Sequence, residues 1–214
     1  INHNKKYKEL LSQLSKRNGS VLIFAKTKYG TQRMAKNLSN DGFKADALNG
    51  NLNQNKRDKV MKNFRLKKFK VLVATDIASR GLDVDHIEHV VNYDLPWNPM
   101  RIEQRIGRID RLGQESDKLF IWNFFYKDSI DERIITRLMD KINIFEEALG
   151  SVEAVVGELI TKLESKLLIK PLSREEEDSE IERASQAIEN EKKVQQDLER
   201  NSSNILSHGG LLIE

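Results

Sequence analysis

Short apolar runs set apart by stretches of helical periodicity limit this chain more than any other feature it has. Val21-Leu22-Ile23-Phe24 and Val71-Leu72-Val73-Ala74 are unbroken, as strands covered on both faces can be. Ile87 through Val91 and Leu119 to Phe125 read as two more core strands, and Phe43 to Leu48 alternates like a strand near a sheet edge. Between them, residues 29–41 place Met34, Ala35 and Leu38 on one side of a helix, and Asn53 caps another whose buried side is Val60, Met61 and Phe64. A leading helix over residues 4–17 carries Tyr7, Leu10, Leu11 and Leu14 and stops at Asn18-Gly19. Strands spaced by helices of this length form βα units, so the fold class is α/β, a largely parallel sheet with helices on both faces. Right-handed crossovers gather the carboxyl ends of such strands on one edge, where ligands bind.

From Ser129 the pattern is helical only. The boundary is set there, with 1–128 as one α/β domain and 129–214 as a helical extension, partly packed on the core and with a disordered tail. Ser129 with Glu132 and Ser173 with Glu176 have capping-box spacing. One apolar stripe runs Ile134, Ile135, Leu138, Ile142 and Phe145 to a break at Gly150-Ser151; a second runs Val152, Val155, Val156, Leu159 and Leu163 and stops at Pro171. Residues 174–200 hold ten acids against five bases, with only Ile181, Ala184, Ile188 and Leu198 on a spare stripe. That is too thin for a core helix, so this helix is expected to lie solvated on the body, to pair as a short coiled coil or to pack on another domain. The last dozen residues, with Gly209-Gly210, are expected to fray.

Composition serves mainly to exclude. The absence of cysteine rules out disulfides, thiol nucleophiles and thiolate metal sites, and is compatible with a reducing cytoplasm, the expected location. His3, His86, His89 and His208 show no ligand spacing; His86 and His89 are expected to be ordinary surface or loop residues, and no metal site is expected. There is no run of eighteen apolar residues and no apolar core behind the polar, basic start, so neither a membrane span nor a secretory signal is expected. A start at Ile1 favours a fragment or a processed product. The formal charge of +3 conceals an asymmetry, since residues 1–70 hold eighteen Lys or Arg against four acids. That fits a phosphate-binding face or a merely soluble one.

Two polar motifs carry chemistry. In the run from Gln104 to Gln114, helical spacing would set Gln104, Arg108 and Arg111 on one face, with Gly107 leaving room for a neighbour's backbone. Two guanidinium groups on one face are costly unless an anion lies between them. A triphosphate in transfer is the natural anion, and an arginine there contributes about 10³ to 10⁵ in turnover in other systems. Surface ion pairs with Asp110 and Glu103 are the plainer alternative. The second motif, Ala74 to Asp83, follows a core strand with a hydroxyl, small residues, a glycine and a carboxylate. Its amides and hydroxyls can hold a phosphate, while Asp83 can accept from a ribose hydroxyl or an internal donor.

These two stretches resemble motifs V and VI of the superfamily 2 helicases and translocases, in their carboxyl-side RecA-like domain. Val21 to Lys28 resembles motif IV, and Gly50 with Gln54 and Arg57 resembles the Gln-x-x-Arg element after it. The resemblance covers about residues 18 to 126, in the family's order. It implies that residues 1–128 are the second RecA-like motor domain of an ATP-dependent translocase or remodeller. Arg108 and Arg111 would then be catalytic, reaching ATP and Mg2+ held mainly by an amino-side RecA-like partner domain, with Arg111 as the arginine finger. Gln104, Gly107 and Asp83 would couple that cleft to the nucleic acid, and Thr27, Lys28, Gln54, Arg57, Thr75 and Asp76 would contact backbone phosphates. The sequence contains no Gly-x-x-x-x-Gly-Lys-Ser/Thr to cradle the phosphates itself.

Two subfamilies share the wording. Thr75 to Asp83 is similar to the DEAD-box RNA helicases. Asn92 to Pro99, followed by Gln104 to Gln114, is similar to the bacterial relatives of the Swi/Snf remodellers, including the RNA-polymerase-recycling ATPase. Gln104 stands where the DEAD-box pattern has histidine, and Asp110 where it has glycine. The Swi/Snf-like side implies duplex DNA as the partner and the DEAD-box side RNA. A third reading is a non-catalytic docking module, with a protein partner seated on the helical extension. Residues 129–134 resemble the post-core segment of the Swi/Snf relatives, and residues 150–214 have no assigned role.

Overall fold

The computed structural model describes residues 3–79, 82, 86–107, 109, 118–142, 153–169 and 171–209. The chain divides into two compact units, Ile1–Pro96 with Arg101–Ser129, and Trp97–Met100 with Ile130–Glu214.

The first unit runs α1 (His3–Lys16), β1 (Ser20–Phe24), α2 (Lys28–Asn40), β2 (Ala45–Leu48), α3 (Gln54–Arg65), β3 (Val71–Ala74), β4 (Ile87–Asn92), α4 (Pro99–Ile106, of which Pro99 and Met100 belong to the second unit) and β5 (Phe120–Asn123). The strands stand in the order β2-β3-β1-β4-β5 and all four pairings are parallel. Their last residues are in register, so Leu48, Ala74, Phe24, Asn92 and Asn123 form one row across the sheet. Everything that leaves a strand at its carboxyl end starts from that row.

Alternation along the strands divides the core into two layers. Val21, Ile23, Val71, Val73 and Val91 face Leu10 and Leu14 of α1 and Ala35 and Leu38 of α2. Leu22, Phe24, Leu72, Ala74 and Val90 face Val60, Met61 and Phe64 of α3, with Ala78, Leu82 and Ile109 beside them. Each fully buried side chain of this size is worth about 1.5–3 kcal/mol against exposure. Asn53 caps α3 as expected, accepting from the Lys56 amide at 3.0 Å, and Thr27 caps α2, accepting from the Gly30 amide at 2.9 Å. The helix ends differ in residue type. Gly42 closes α2 at φ 89°, with its amide on the Ser39 carbonyl and the Phe43 amide on that of Leu38. Lys67 closes α3 in the same way at φ 54°, bonding back to Phe64 while Lys68 bonds to Asn63.

Two expectations need correcting. The segment Leu119 to Phe125, expected as a core strand, yields only Phe120–Asn123, and Phe120 and Ile121 remain 44% and 39% exposed. The strand is last in the order, with a neighbour on one side only. His89, expected as a surface or loop residue, is buried within β4, and His86, in a loop as expected, is buried as well. The His89 ring is tilted against those of Phe120 and Trp122 at centroid distances of 5.2 and 5.0 Å, with Nε2 on the Asn18 carbonyl at 2.9 Å. His86 packs 5.1 Å from the Phe64 ring. A neutral imidazole stacks much as an aromatic ring does, and burial in that state depresses the His89 pKa. With the parallel sheet covered on both faces and a helical extension following it in sequence, the chain has the RecA-like α/β fold.

The second unit contains α5 (Ile130–Ile142), α6 (Glu153–Ile169) and α7 (Arg174–Gly209). Met100, Ile134, Val156, Ile160, Leu163, Ile181 and Ile188 share one core, with Trp97 at its margin and the indole Nε1 on Asp131 at 2.6 Å. The capping box at Ser173 is closed reciprocally, Ser173 N to Glu176 Oε2 at 2.7 Å and Glu176 N to Ser173 Oγ at 3.2 Å. Helix α7 overturns the reading of its stripe as too thin for a core, because Ile181, Ser185 and Ile188 are buried. A serine completes the face that apolar residues alone left incomplete. Arg133 reaches Glu177 and Asp178, which joins α5 to the start of α7. The helix runs on to Gly209, and residues 210–214, the end of the stretch expected to fray, lie outside the described residues. Among the described residues no helix is long and apolar enough to cross a membrane.

Candidate functional site at the carboxyl edge of the sheet

Residues 25–28 follow β1, Asn49 and Gly50 follow β2, Thr75 and Asp76 follow β3, and Tyr93 and Asp94 follow β4. The connection from β1 leads toward β2 and that from β4 toward β5, so the crevice between β1 and β4 is the switch point where sheets of this kind bind ligands. It is closely tied together. The Lys26 amide donates to Asp94 Oδ2 at 2.7 Å, the Asp94 amide to the Phe24 carbonyl at 3.2 Å, and the Ala25 amide to the Ala74 carbonyl at 3.0 Å.

At the centre lies a residue that the sequence reading did not single out. Arg105 of α4 is 3% exposed, and its Nε and Nη2 donate to the two oxygens of Asp76 at 2.6 and 2.9 Å. Its Nη1 donates to Asn92 Oδ1 at 2.7 Å and to the Asp94 carbonyl at 3.2 Å, and the guanidinium lies 4.6 Å from the Phe24 ring centroid. A buried guanidinium is tolerable only when its fork of donors is met by acceptors, as here. One side chain thus spans the ends of three adjacent strands and joins the loop after β3 to α4. The signal for it was helical spacing. Arg105 stands three residues after Ile102 and four before Ile109, both buried, so it shares their inward side.

The other candidates distribute as follows. Thr27 is exposed and caps α2. Lys28 passes over Gly50, where a Cβ would come within 3.4 Å of its Cε. Gln54 opens α3, with its side-chain amide on Asp58 at 2.8 Å, and Arg57 is half-buried one turn on. Thr75 is buried, and its Oγ1 accepts from the Ala78 amide at 3.3 Å. The edge thus brings together Thr27, Lys28, Thr75 and Asp76, with Gln54 and Arg57 on the helix that starts there. Asp76 has its carboxylate turned to Arg105. Gln104 is exposed on α4. The helix was expected to continue through residue 111; its described part ends at Ile106, and the Ile109 amide bonds to the Ile106 carbonyl in a tighter turn. A Cβ on Gly107 would meet only the Glu103 carbonyl, at 3.4 Å, so among the described residues no neighbouring backbone makes the expected approach. Asp83, Arg108 and Arg111 lie outside the described residues.

Tyr93 stands beside Asp94, and burial above all pushes its hydroxyl up to about 12, which keeps it a neutral donor. Among the described residues no group of three or more His, Asp or Glu side chains could hold a metal ion.

The family described as "Helicase conserved C-terminal domain" matches residues 3–113. The chain belongs to this family. As a helicase C-terminal domain of the RecA-like, superfamily 2 type, it is homologous to DEAD-box and Swi2/Snf2-like ATPases. It is 34% identical over 159 residues to the uncharacterized ATP-dependent helicase YqhH of Bacillus subtilis, covering 74% of this chain and 28% of that protein. It is 43% identical over 108 residues to a probable ATP-dependent RNA helicase of Methanocaldococcus jannaschii, covering 50% of this chain and 29% of the relative. In structure it is similar to the C-terminal domain of the DEAD-box protein Dbp5, with a TM-score of 0.53 and 30% identity, covering 65% of this chain and 81% of that one. The helicase C-terminal domain therefore spans under a third of the curated relatives' length. Both of these curated relatives are named as ATP-dependent helicases.

Proposed function

We propose that this chain is the second motor domain of an ATP-dependent nucleic-acid translocase or remodeller acting on duplex DNA. The observation that carries the reading is the clamp of Arg105 on Asp76, which joins the helix leading into Arg108 and Arg111 to the loop bearing Thr75. A displacement at the nucleotide side is then passed through this ion pair to the polymer side.

In this reading Arg108 and Arg111 reach a triphosphate held mainly by an amino-side RecA-like domain, where a guanidinium neutralises charge spread over the transferring phosphoryl oxygens. Gln104, Gly107 and Asp83 couple the two sides. Thr27, Lys28, Gln54, Arg57 and Thr75 hold backbone phosphates, while Asp76 acts through Arg105 as a positioning residue. Such contacts orient a strand without reading its bases, so binding is steeply salt-dependent and nearly sequence-blind. On its own the domain hydrolyses ATP at background rates; turnover of about one per second or more would overturn this.

The wording of Asn92 to Pro99 and Gln104 to Gln114 favours a duplex-tracking motor. An RNA helicase is the second reading, supported by Thr75 to Asp83 and by the relative named as an RNA helicase. The deciding experiment measures the ATPase rate of the intact protein with duplex DNA, single-stranded DNA and RNA. Stimulation by duplex supports the remodeller, stimulation by RNA alone the helicase, and no response to any polymer leaves a docking module and sinks both motor readings.

A further inference from the structure

Helix α7 has 36 residues, whereas α5 and α6, which share its core, have 13 and 17. Among its described side chains the buried ones, Ile181, Ser185 and Ile188, all lie in its first half. From Asn190 on, every described side chain of the helix is exposed, Val194 at 56% and Leu198 at 58% among them. Single exposed aliphatic residues are common on protein surfaces, so these two carry meaning only through their place in a pattern.

That pattern is a heptad seam. Ala184, Ala187, Glu191, Val194 and Leu198 recur at alternating intervals of three and four residues, the spacing that keeps one stripe turned toward a partner helix. Ala184 and Ala187 line a groove whose other wall is α6, from Leu159 to Lys166. The stripe is therefore small at its start and large at its end. Such a surface fits its own reverse. An antiparallel pair with a two-fold axis near Glu191 lays Val194 and Leu198 of each copy over Ala187 and Ala184 of the other. A parallel pair would set leucine on leucine and alanine on alanine, which leaves the small end unfilled.

Charge selects the same direction. Arg183 and Asp197 each precede a stripe residue by one position, so antiparallel pairing brings Arg183 of one copy opposite Asp197 of the other. In a parallel pair neither would meet an opposite charge across the seam. The Arg183 side chain bonds Glu180 on its own helix, yet it is 71% exposed, and its five donors can serve a second carboxylate.

We propose that this stripe joins two copies of the chain through an antiparallel, two-fold coiled coil of their α7 helices. A second copy is favoured over a different protein because the large half, the small half and the flanking charges are each answered by the same stripe reversed. Glu191 lies near the axis, where the two carboxylates approach each other and keep the pair weak. From Ala184 to Leu198 the helix rises about 21 Å, a contact at the small end of interface sizes, so the expected dissociation constant is about 10 µM.

Sedimentation equilibrium of the 214-residue chain between about 1 and 300 µM measures that constant. Val194→Asp/Leu198→Asp alters exposed positions only and should keep the helix content while weakening the pair about a hundredfold or more. Glu191→Leu should tighten it about tenfold, a gain that a damaged fold cannot produce. Arg183→Glu should weaken it about fivefold, and Arg183→Glu/Asp197→Arg should return it to within about twofold of the unaltered chain. The mass of one chain at every concentration, for both the unaltered protein and Glu191→Leu, would overturn the proposal and leave the stripe to a different partner. A dimer indifferent to the two aspartates would overturn it by placing the contact elsewhere. A charge exchange that restores nothing would overturn the antiparallel pairing.

Discussion

Arg105 and Asp76, twenty-nine residues apart in sequence, meet through two hydrogen bonds of 2.6 and 2.9 Å on the two oxygens of one carboxylate. The arginine is 3% exposed and the aspartate 36%, so removing the guanidinium strands a partly hydrated carboxylate and two further acceptors. Arg105→Ala is expected to cost about 3 kcal/mol, the lower end for a broken buried pair because water can reach Asp76. Arg105→Lys should cost about 1–2 kcal/mol, since a single ammonium cannot serve Asp76, Asn92 and the Asp94 carbonyl together. Urea unfolding of the three proteins measures both; equal midpoints would show that the clamp does not hold the fold.

Arg111→Ala in the intact protein should leave ATP binding within about threefold while turnover falls by about 10³ to 10⁵. Equilibrium binding of a fluorescent nucleotide and a steady-state ATPase assay separate the two quantities. Retained turnover would remove Arg111 from the chemistry.

His89 makes stability depend on acid. Its folded pKa is depressed, by burial first, below the ordinary value of 6.5. The unfolded chain therefore binds the proton more readily, and stability is complete above about pH 6.5 and declines as the pH falls toward the folded pKa, by up to about 1.4 kcal/mol per unit. His89→Gln, which keeps a donor for the Asn18 carbonyl, should remove this part of the decline. Denaturant midpoints between about pH 7.5 and 5 report it, and parallel curves for the two proteins would refute it.

Ile181 and Leu198 of α7 were indistinguishable on the sequence stripe, yet one is fully buried and the other 58% exposed. Ile181→Ala should cost about 2–5 kcal/mol and Leu198→Ala under about 0.5 kcal/mol. Similar losses from both would show that the far part of α7 is held as firmly as its start.

What could be read in advance depended on how local the determinant was. The strand cores at Val21 and Val71, the cap at Asn53 and the buried side of α3 follow from neighbours in sequence, and they are found where expected. The edge position of β5 is a property of strand order, which no run of residues states. His89 looked polar by type, whereas its surroundings treat it as an aromatic ring. Arg105 is one of four arginines between residues 101 and 111, alike in charge, and only its spacing from Ile102 and Ile109 marks it as inward-facing. Ser185 completes the α7 face by virtue of its small size, a contribution a search for apolar residues passes over.

Thr27 and Thr75 each receive a backbone N–H from their own turn on the hydroxyl oxygen. A hydroxyl engaged in this manner still has a proton to give, so toward any newcomer it behaves chiefly as a donor. An aspartate could cap α2 equally well, yet it would show the newcomer only lone pairs. The polarity of this edge is thus settled by how its turns are wound, before anything arrives, and it favours guests rich in oxygen acceptors over guests rich in donors.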